Sequence, residues 1–485
     1  MHLHSIVYVI GTLLLVTSFA MLFPILVSLI FMEDDLVSLI ISAVVTFFIG
    51  LPLWWFSPSN YELNFKDSLL VAVFGWIIIS IVSSLPFVIH GSIPRFTDAF
   101  FEMMSGLTTT GATILEDIES LPHGLLFWRS ETHLLGGMGF LTLTLIFLPH
   151  GMAGVRIFRA ESSPGQVITQ EKILPRNRDA IIWLWIIYLG LNLLQTLLLW
   201  FGGMPFFDSL CHSFGSVATA GFSPKNSSVG YYNSPYFDWI IMLFMFLGGM
   251  TFMIFYNMLK GEWTLVRLNT ELRWYGLIVI FFCLITSLIL WVKGSYADFT
   301  EAFRFGSFQI ISLLTTSGFT TADYELWPQS AQMFLYLVCF IGACAGSTTS
   351  GIKIVHFVII WKYLVSSIKK MFFQPRTIIP IHLNQRVVDN FAINLTICYF
   401  IANIFIVFFG GCIMVMLDSV DFYTAISSVI SALMNIGPGF GEIGPSENFS
   451  HISIQGKWFL SLLMLIGRLE LFSVLVLLFP SFWKR

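Results

Sequence analysis

Charge is what this 485-residue chain has least of: 11% of its residues are charged and 56% are hydrophobic. An average soluble protein carries about 25% charged residues, so a water-soluble globule is nearly excluded. Cysteine is sparse too. Cys211, Cys283, Cys339, Cys344, Cys398 and Cys412 have no paired spacing and lie mostly in apolar runs. They read as small buried residues, with neither a disulfide framework nor a zinc site. No H-E-x-x-H and no G-x-S-x-G occurs, so an intramembrane metalloprotease or an esterase has no support. Gly439-Phe440-Gly441-Glu442-Ile443-Gly444 matches G-x-G-x-x-G, but it follows a short helix and no strand precedes it. It therefore fails the context that dinucleotide binding requires.

What the chain has in abundance is long apolar runs. A spanning helix needs roughly 20 consecutive apolar residues, and the runs between charged loops give spans near 5–31, 36–57, 68–90, 127–149, 180–203, 237–259, 274–292, 330–361, 390–417 and 456–480. The first is too long for a signal-peptide core and lacks a small-residue cleavage site. Loop charge gives a sidedness. Loops 150–179, 260–273 and 362–389 hold 13 of the 24 basic residues. With Lys66, Lys484 and Arg485 that side has 16 basic residues against 8 acidic ones, and the other side has 6 against 19. The basic side is cytoplasmic by the positive-inside rule, with both termini on it. The acidic outer side would concentrate cations near an entrance.

Internal repetition is the strongest signal. Each outward segment holds a short helical stretch that ends in a polar residue and a glycine: Thr109-Thr110-Gly111, Thr219-Ala220-Gly221, Thr316-Ser317-Gly318 and Asn435-Ile436-Gly437. Asp98, Asp208 and Thr424 each lie 13 residues before their glycine; Glu301 lies 17 before its own, one extra helical turn. A 13-residue helix is about 20 Å long, too short to span, so each segment dips in and returns. Its carbonyl end carries partial negative charge into the membrane, and four such ends around one axis would favour a cation. Glycine lets extended backbone turn its carbonyls toward an ion, and a ring of carbonyls can replace the hydration shell of K⁺. One such segment would be an ordinary re-entrant turn. Four, each between two spans on the same side, are not.

Ser105-Gly106-Leu107-Thr108-Thr109-Thr110-Gly111-Ala112-Thr113, Gly136-Gly137-Met138-Gly139, Phe158-Arg159-Ala160-Glu161-Ser162, Gly346-Ser347-Thr348 and Gly467-Arg468-Leu469-Glu470 resemble the Trk/Ktr/HKT superfamily of K⁺ transporters, specifically its TrkH-type membrane subunit. The resemblance covers essentially the whole chain. It implies an all-α polytopic membrane fold with four membrane–pore-helix–membrane repeats around a pseudo-fourfold pore and an extra N-terminal helix pair. The corresponding divisions are 1–66, 67–178, 179–272, 273–386 and 387–485. It also implies a K⁺ selectivity filter at the twelve residues of the four Thr/Asn-x-Gly segments, with transported K⁺ and no organic cofactor in this chain. Further implications are a homodimer in a bacterial inner membrane and a cytoplasmic TrkA-like, nucleotide-binding RCK ring as partner. Serine at the first filter glycine goes with Na⁺ transport in the plant branch. All four positions are glycine here, which points to K⁺. Asn435 departs from the threonine of the other repeats and leaves the lowest layer asymmetric.

The second span of repeat three is long enough for two helices, and Gly342-Ala343-Cys344-Ala345-Gly346-Ser347-Thr348-Thr349-Ser350-Gly351 would unwind its middle, each glycine costing about 1 kcal/mol relative to alanine. Residues Ala345, Gly346, Ser347, Thr348 and Thr349 are expected to form a gate loop below the filter; close packing of small residues is the alternative. Lys353 either snorkels or holds that loop. Arg468, in the last span, reads as a charge beside the pore that opposes cations, or as a tether to backbone carbonyls of another helix. Glu470, two positions away on a continuous helix, faces elsewhere. A gated, channel-like pathway is favoured over an H⁺- or Na⁺-coupled symporter, because Glu470 is the one acid the sequence places deep inside an expected span. Neither an enzyme nor a nucleic-acid binder is expected.

Overall fold

The computed structural model describes residues 2–55, 64–139, 177–372, 379–384 and 386–484. The Phe158–Ser162 motif, most of loop 150–179 and the second half of the expected span 127–149 lie outside them. Helices α1 (Leu3–Ala20) and α2 (Leu22–Phe31) form one apolar span, and α3 (Leu36–Trp55) returns beside it. Gly11 sets their crossing, since a Cβ there would sit 2.6 and 2.8 Å from the backbone of Trp54 and Leu53. Two acids fasten this pair to the next unit. The Asp35 carboxylate accepts from the Leu125 backbone N–H at 2.9 Å, and Glu33 accepts from the His123 backbone. These N–H groups open α6 (His123–Gly137), where helix donors lack partners and the dipole favours negative charge.

Four repeats follow. Their first helices are α4 (Phe65–His90), α7 (Asn177–Phe201), α12 (Thr270–Val292) and α16 (Asn390–Leu417). All have 23 residues or more, enough to cross about 30 Å at 1.5 Å per residue. Each leads into a short helix: α5 (Phe96–Leu107), α8 (Phe206–Val217), α13 (Phe299–Leu314) and α17 (Phe422–Met434). These have 12, 12, 16 and 13 residues, α13 carrying the extra turn. The short helices of repeats one to three pack between the two helices of their own repeat and the second helix of the preceding one, repeat four preceding repeat one; α17 packs between the two helices of its own repeat. The layout is a pseudo-fourfold ring.

The second helices of repeats two, three and four are interrupted. The continuous spans expected at 237–259 and 456–480 are instead α9 (Pro235–Gly248) with α10 (Phe252–Leu259), bent by 93° and followed by the short α11 (Trp263–Leu268), and α18 (Ile454–Arg468) with α19 (Leu471–Leu475) and a 3₁₀ turn, bent by 116°. In repeat three, α14 (Gln329–Val338) and α15 (Ile354–Lys370) flank a non-helical loop. The cause lies where these helices pass the ends of the short helices. A Cβ at Gly248 would stand 2.8 Å from the Val217 carbonyl oxygen, and at Gly136 or Gly467 it would overlap the carbonyls of Leu107 and Leu433. The backbone groups released at the α9–α10 break are not orphaned: Gly248 and Gly249 carbonyls accept from Thr348 and Cys344, and Phe252 N–H donates to Gly346. Among the described residues, six helices are long and apolar enough to span, or eight with each bent pair taken as one. Cys398 and Cys412 are exposed on α16, unlike the four buried cysteines.

Candidate functional site

Each short helix ends the same way. The residue after its last turn is left-handed, with φ near 55° at Thr109, Thr219, Thr316 and Asn435, and the glycine two positions on is left-handed as well. The amide between them reaches back five residues: Thr110 to Ser105, Ala220 to Gly215, Ser317 to Ser312 and Ile436 to Ser431, all at 2.8–2.9 Å. This is the glycine-type helix stop executed with β-branched threonine, at about 1–2 kcal/mol each. Strain repeated at three equivalent sites marks a functional constraint. Asparagine tolerates the conformation better, and Asn435 uses its side chain to donate to Thr110 Oγ1 at 2.8 Å and the Met464 carbonyl at 2.9 Å.

The four segments close on one another. A Cβ on Gly111 would strike the carbonyl oxygen of Ala220, on Gly221 that of Ser317, on Gly318 that of Ile436, and on Gly437 that of Thr110 at 2.7 Å. Each glycine thus faces the middle carbonyl of the next repeat, and the fourth returns to the first. All four glycines line one open cavity whose other walls include Arg129, Lys225 and Glu447.

Directly beneath sits the loop of repeat three. Its neck is a two-residue parallel strand pair, β1 (Ile341–Gly342) with β2 (Ile352–Lys353). Thr348 Oγ1 donates to the Val217 and Gly248 carbonyls at 2.9 and 3.1 Å and receives Thr219 Oγ1 at 3.3 Å. The Ser350 N–H donates to Thr316 Oγ1 at 3.1 Å. Arg468, the last residue of α18, adds repeat one: its guanidinium donates to Thr109 Oγ1 at 3.1 Å, the Thr348 carbonyl at 2.9 Å, the Gly137 carbonyl at 2.9 Å, and the Gly136 carbonyl. The twelve ring residues, the loop and Arg468 therefore form one connected site.

The TrkH family profile, described as a cation transport protein, matches residues 37–485. The chain belongs to the TrkH family. Among curated relatives, the Trk system potassium uptake proteins TrkH of Salmonella typhimurium and of Escherichia coli K12 are each 35% identical, with both chains covered in full. TrkG of Escherichia coli K12 is 32% identical over all of this chain and 99% of its own. The crystal structure of the potassium transporter TrkH from Vibrio parahaemolyticus superposes with a TM-score of 0.89 at 30% identity, covering all of both chains. This is a family of multi-pass membrane transporters.

Sequence reasoning missed several residues of this TrkH-family site. Glu271, in the first turn of α12, accepts from the backbone N–H of Ala345 at 2.8 Å and of Val355 at 3.3 Å, so one buried carboxylate holds both sides of the loop. Lys353 is buried and does not snorkel; it donates to the Thr349 carbonyl and hydroxyl and, at 3.4 Å, to the Ser350 carbonyl. Glu470 is left-handed at the α18–α19 break, so the helical-face argument separating it from Arg468 does not apply. It acts electrostatically on Lys353, as does Glu271. Buried acids are also more numerous than expected and include Glu102, Glu131, Asp208 and Asp238.

Proposed function

We propose that this protein carries K⁺ into a bacterial cell across the inner membrane, through a gated, channel-like pathway whose selectivity filter is the four-glycine ring. The observation that carries the reading is ring closure: each filter glycine abuts the middle carbonyl of the next repeat, the packing a multi-carbonyl cage for a dehydrated cation needs. The relatives' names as potassium uptake proteins give the ion. Residues 345–349 act as the gate, held against the lowest filter residues, and Arg468 supplies a positive charge at that level. The repeats divide as 67–178, 179–272, 273–386 and 387–485 after the helix pair 1–66, with both termini cytoplasmic. The protein functions as a homodimer, regulated by a separate nucleotide-binding ring docked on the basic loops.

Coupled symport is favoured by one observation. Glu131 and His133 are buried in α6; Glu131 Oε2 and both His133 ring nitrogens have no hydrogen-bond partner among the described residues. Intramembrane ionisable groups of this kind can carry protons. K⁺ flux into proteoliposomes, with and without an imposed pH gradient, separates the readings. Flux that follows the K⁺ gradient alone supports the channel-like pathway, and K⁺ driven uphill by the pH gradient replaces it with symport. No K⁺ flux under either condition refutes both.

A further inference from the structure

Behind the ring, the residue nine positions before each of the first three glycines is polar and fully buried: Glu102, His212 and Gln309. Each reaches the strand that leaves its own filter segment. Glu102 accepts from Thr113 Oγ1 and the Ile114 N–H, both at 2.9 Å; His212 Nε2 pairs with Ser223 Oγ at 3.1 Å; Gln309 Nε2 donates to the Ala322 carbonyl at 3.4 Å. In repeat four Ser427 does this, accepting from the Phe440 N–H at 2.7 Å. The braces share a position and differ in chemistry.

The first is different in kind because it crosses repeats. Arg129 of α6 donates through Nε to Glu102 at 2.7 Å and through Nη1 to the Ser223 carbonyl of repeat two at 2.9 Å. Its guanidinium carbon lies 3.6 Å from the centre of the Phe222 ring, the residue directly after Gly221. Ser223 is thus held by its carbonyl from repeat one and by its hydroxyl from His212. The geometry points to Glu102 and Arg129 as positioning residues that lock the outer ends of filter segments one and two together and so set K⁺ over Na⁺ selectivity. They do not touch the ion. A filter that discriminates by carbonyl spacing or by carbonyl number needs its strands held against collapse on the smaller ion. A buried ion pair costs desolvation and is a weak device for stability alone, its best-attested use being register. This inference rests on the ring being the filter.

The test is tracer uptake of Rb⁺ or K⁺ and of Na⁺ into proteoliposomes holding the full chain, with Glu102→Gln, Arg129→Gln and Arg129→Lys beside Gly111→Ser. Glutamine at 102 cannot accept from Arg129, Thr113 and Ile114 together. Lysine at 129 cannot reach Glu102 and the Ser223 carbonyl at once. The K⁺/Na⁺ ratio is expected to fall about tenfold, or about 1.4 kcal/mol, in both glutamine variants, with lysine intermediate. A merely structural pair would lower uptake of both ions together and leave the ratio unchanged, which overturns the proposal. If the glutamine variants yield no folded protein, Arg129→Lys decides alone: a reduced ratio supports the clamp and an unchanged one overturns it. If Gly111→Ser lowers the ratio while the clamp variants keep it, only the clamp fails; if Gly111→Ser keeps it, the filter reading fails and takes the clamp with it.

Discussion

Arg468→Ala should raise K⁺ flux per folded protein. A cation held at the level of Thr109 would lie about 6 Å from the guanidinium, one contact beyond the 3.1 Å from Arg468 Nη1 to Thr109 Oγ1. At an effective dielectric constant of about 20 the repulsion is about 2.8 kcal/mol, or roughly 100-fold in rate. That is an upper bound, because the loop remains in place in the variant. The same guanidinium donates to the Gly136, Gly137 and Thr348 carbonyls, and each buried acceptor left unpaired costs about 1–3 kcal/mol. Yield of folded protein should therefore fall even as flux per molecule rises. Arg468→Lys keeps the charge but cannot span those acceptors as a fork does, so it should stay within a few-fold of the parent in flux and still lose stability. Proteoliposome flux normalised to monodisperse protein is the assay. Flux in Arg468→Ala at or below the parent value refutes the electrostatic barrier and leaves Arg468 a tether.

Three further outcomes follow from the same geometry. Deleting Ala345–Thr348, which spares the β1–β2 neck, should raise basal K⁺ flux; flux at or below the parent's in correctly assembled protein counts against the gate. Glu271→Ala removes the acceptor for Ala345 and Val355 and should raise basal flux several-fold by loosening the loop, checked in the same assay, with no change ruling out a holding role. The purified chain should give no calorimetric signal with ATP or NAD, because the basic loops 150–179, 260–273 and 362–389, none longer than 30 residues, are too short for a regulatory domain; stoichiometric binding would overturn the separate-sensor reading.

The repeats were legible because they are written as polar residue and glycine at a fixed distance from a helix start. Thr109, Thr219 and Thr316 fall into register by counting alone. The breaks at Gly248-Gly249 and Gly467-Arg468 were not legible, since glycine pairs inside apolar runs look the same whether a helix packs closely or ends. Their cause, the carbonyls of Val217 and Leu433, comes from a different segment. Glu271 reads as a loop charge because it falls within 260–273, between Thr270 and Arg273; only the fold turns it inward to the loop of repeat three. The pore-helix braces escaped notice because Glu102, His212 and Gln309 share no chemistry. Counting back nine from each of the first three glycines finds them.

The proposed K⁺ selectivity rests on Gly111, Gly221, Gly318 and Gly437 forming one carbonyl cage. A side chain at any of them meets both a left-handed backbone, φ between 73° and 100°, and the carbonyl of the next repeat. The most direct measurement is therefore the ratio of K⁺ to Na⁺ uptake in Gly318→Ser and Gly221→Ser, each against the parent protein in the same vesicles. A marked fall in the ratio, with Na⁺ uptake sustained or increased, is expected if the four glycines form the filter. An unchanged ratio in folded, transporting protein would contradict it.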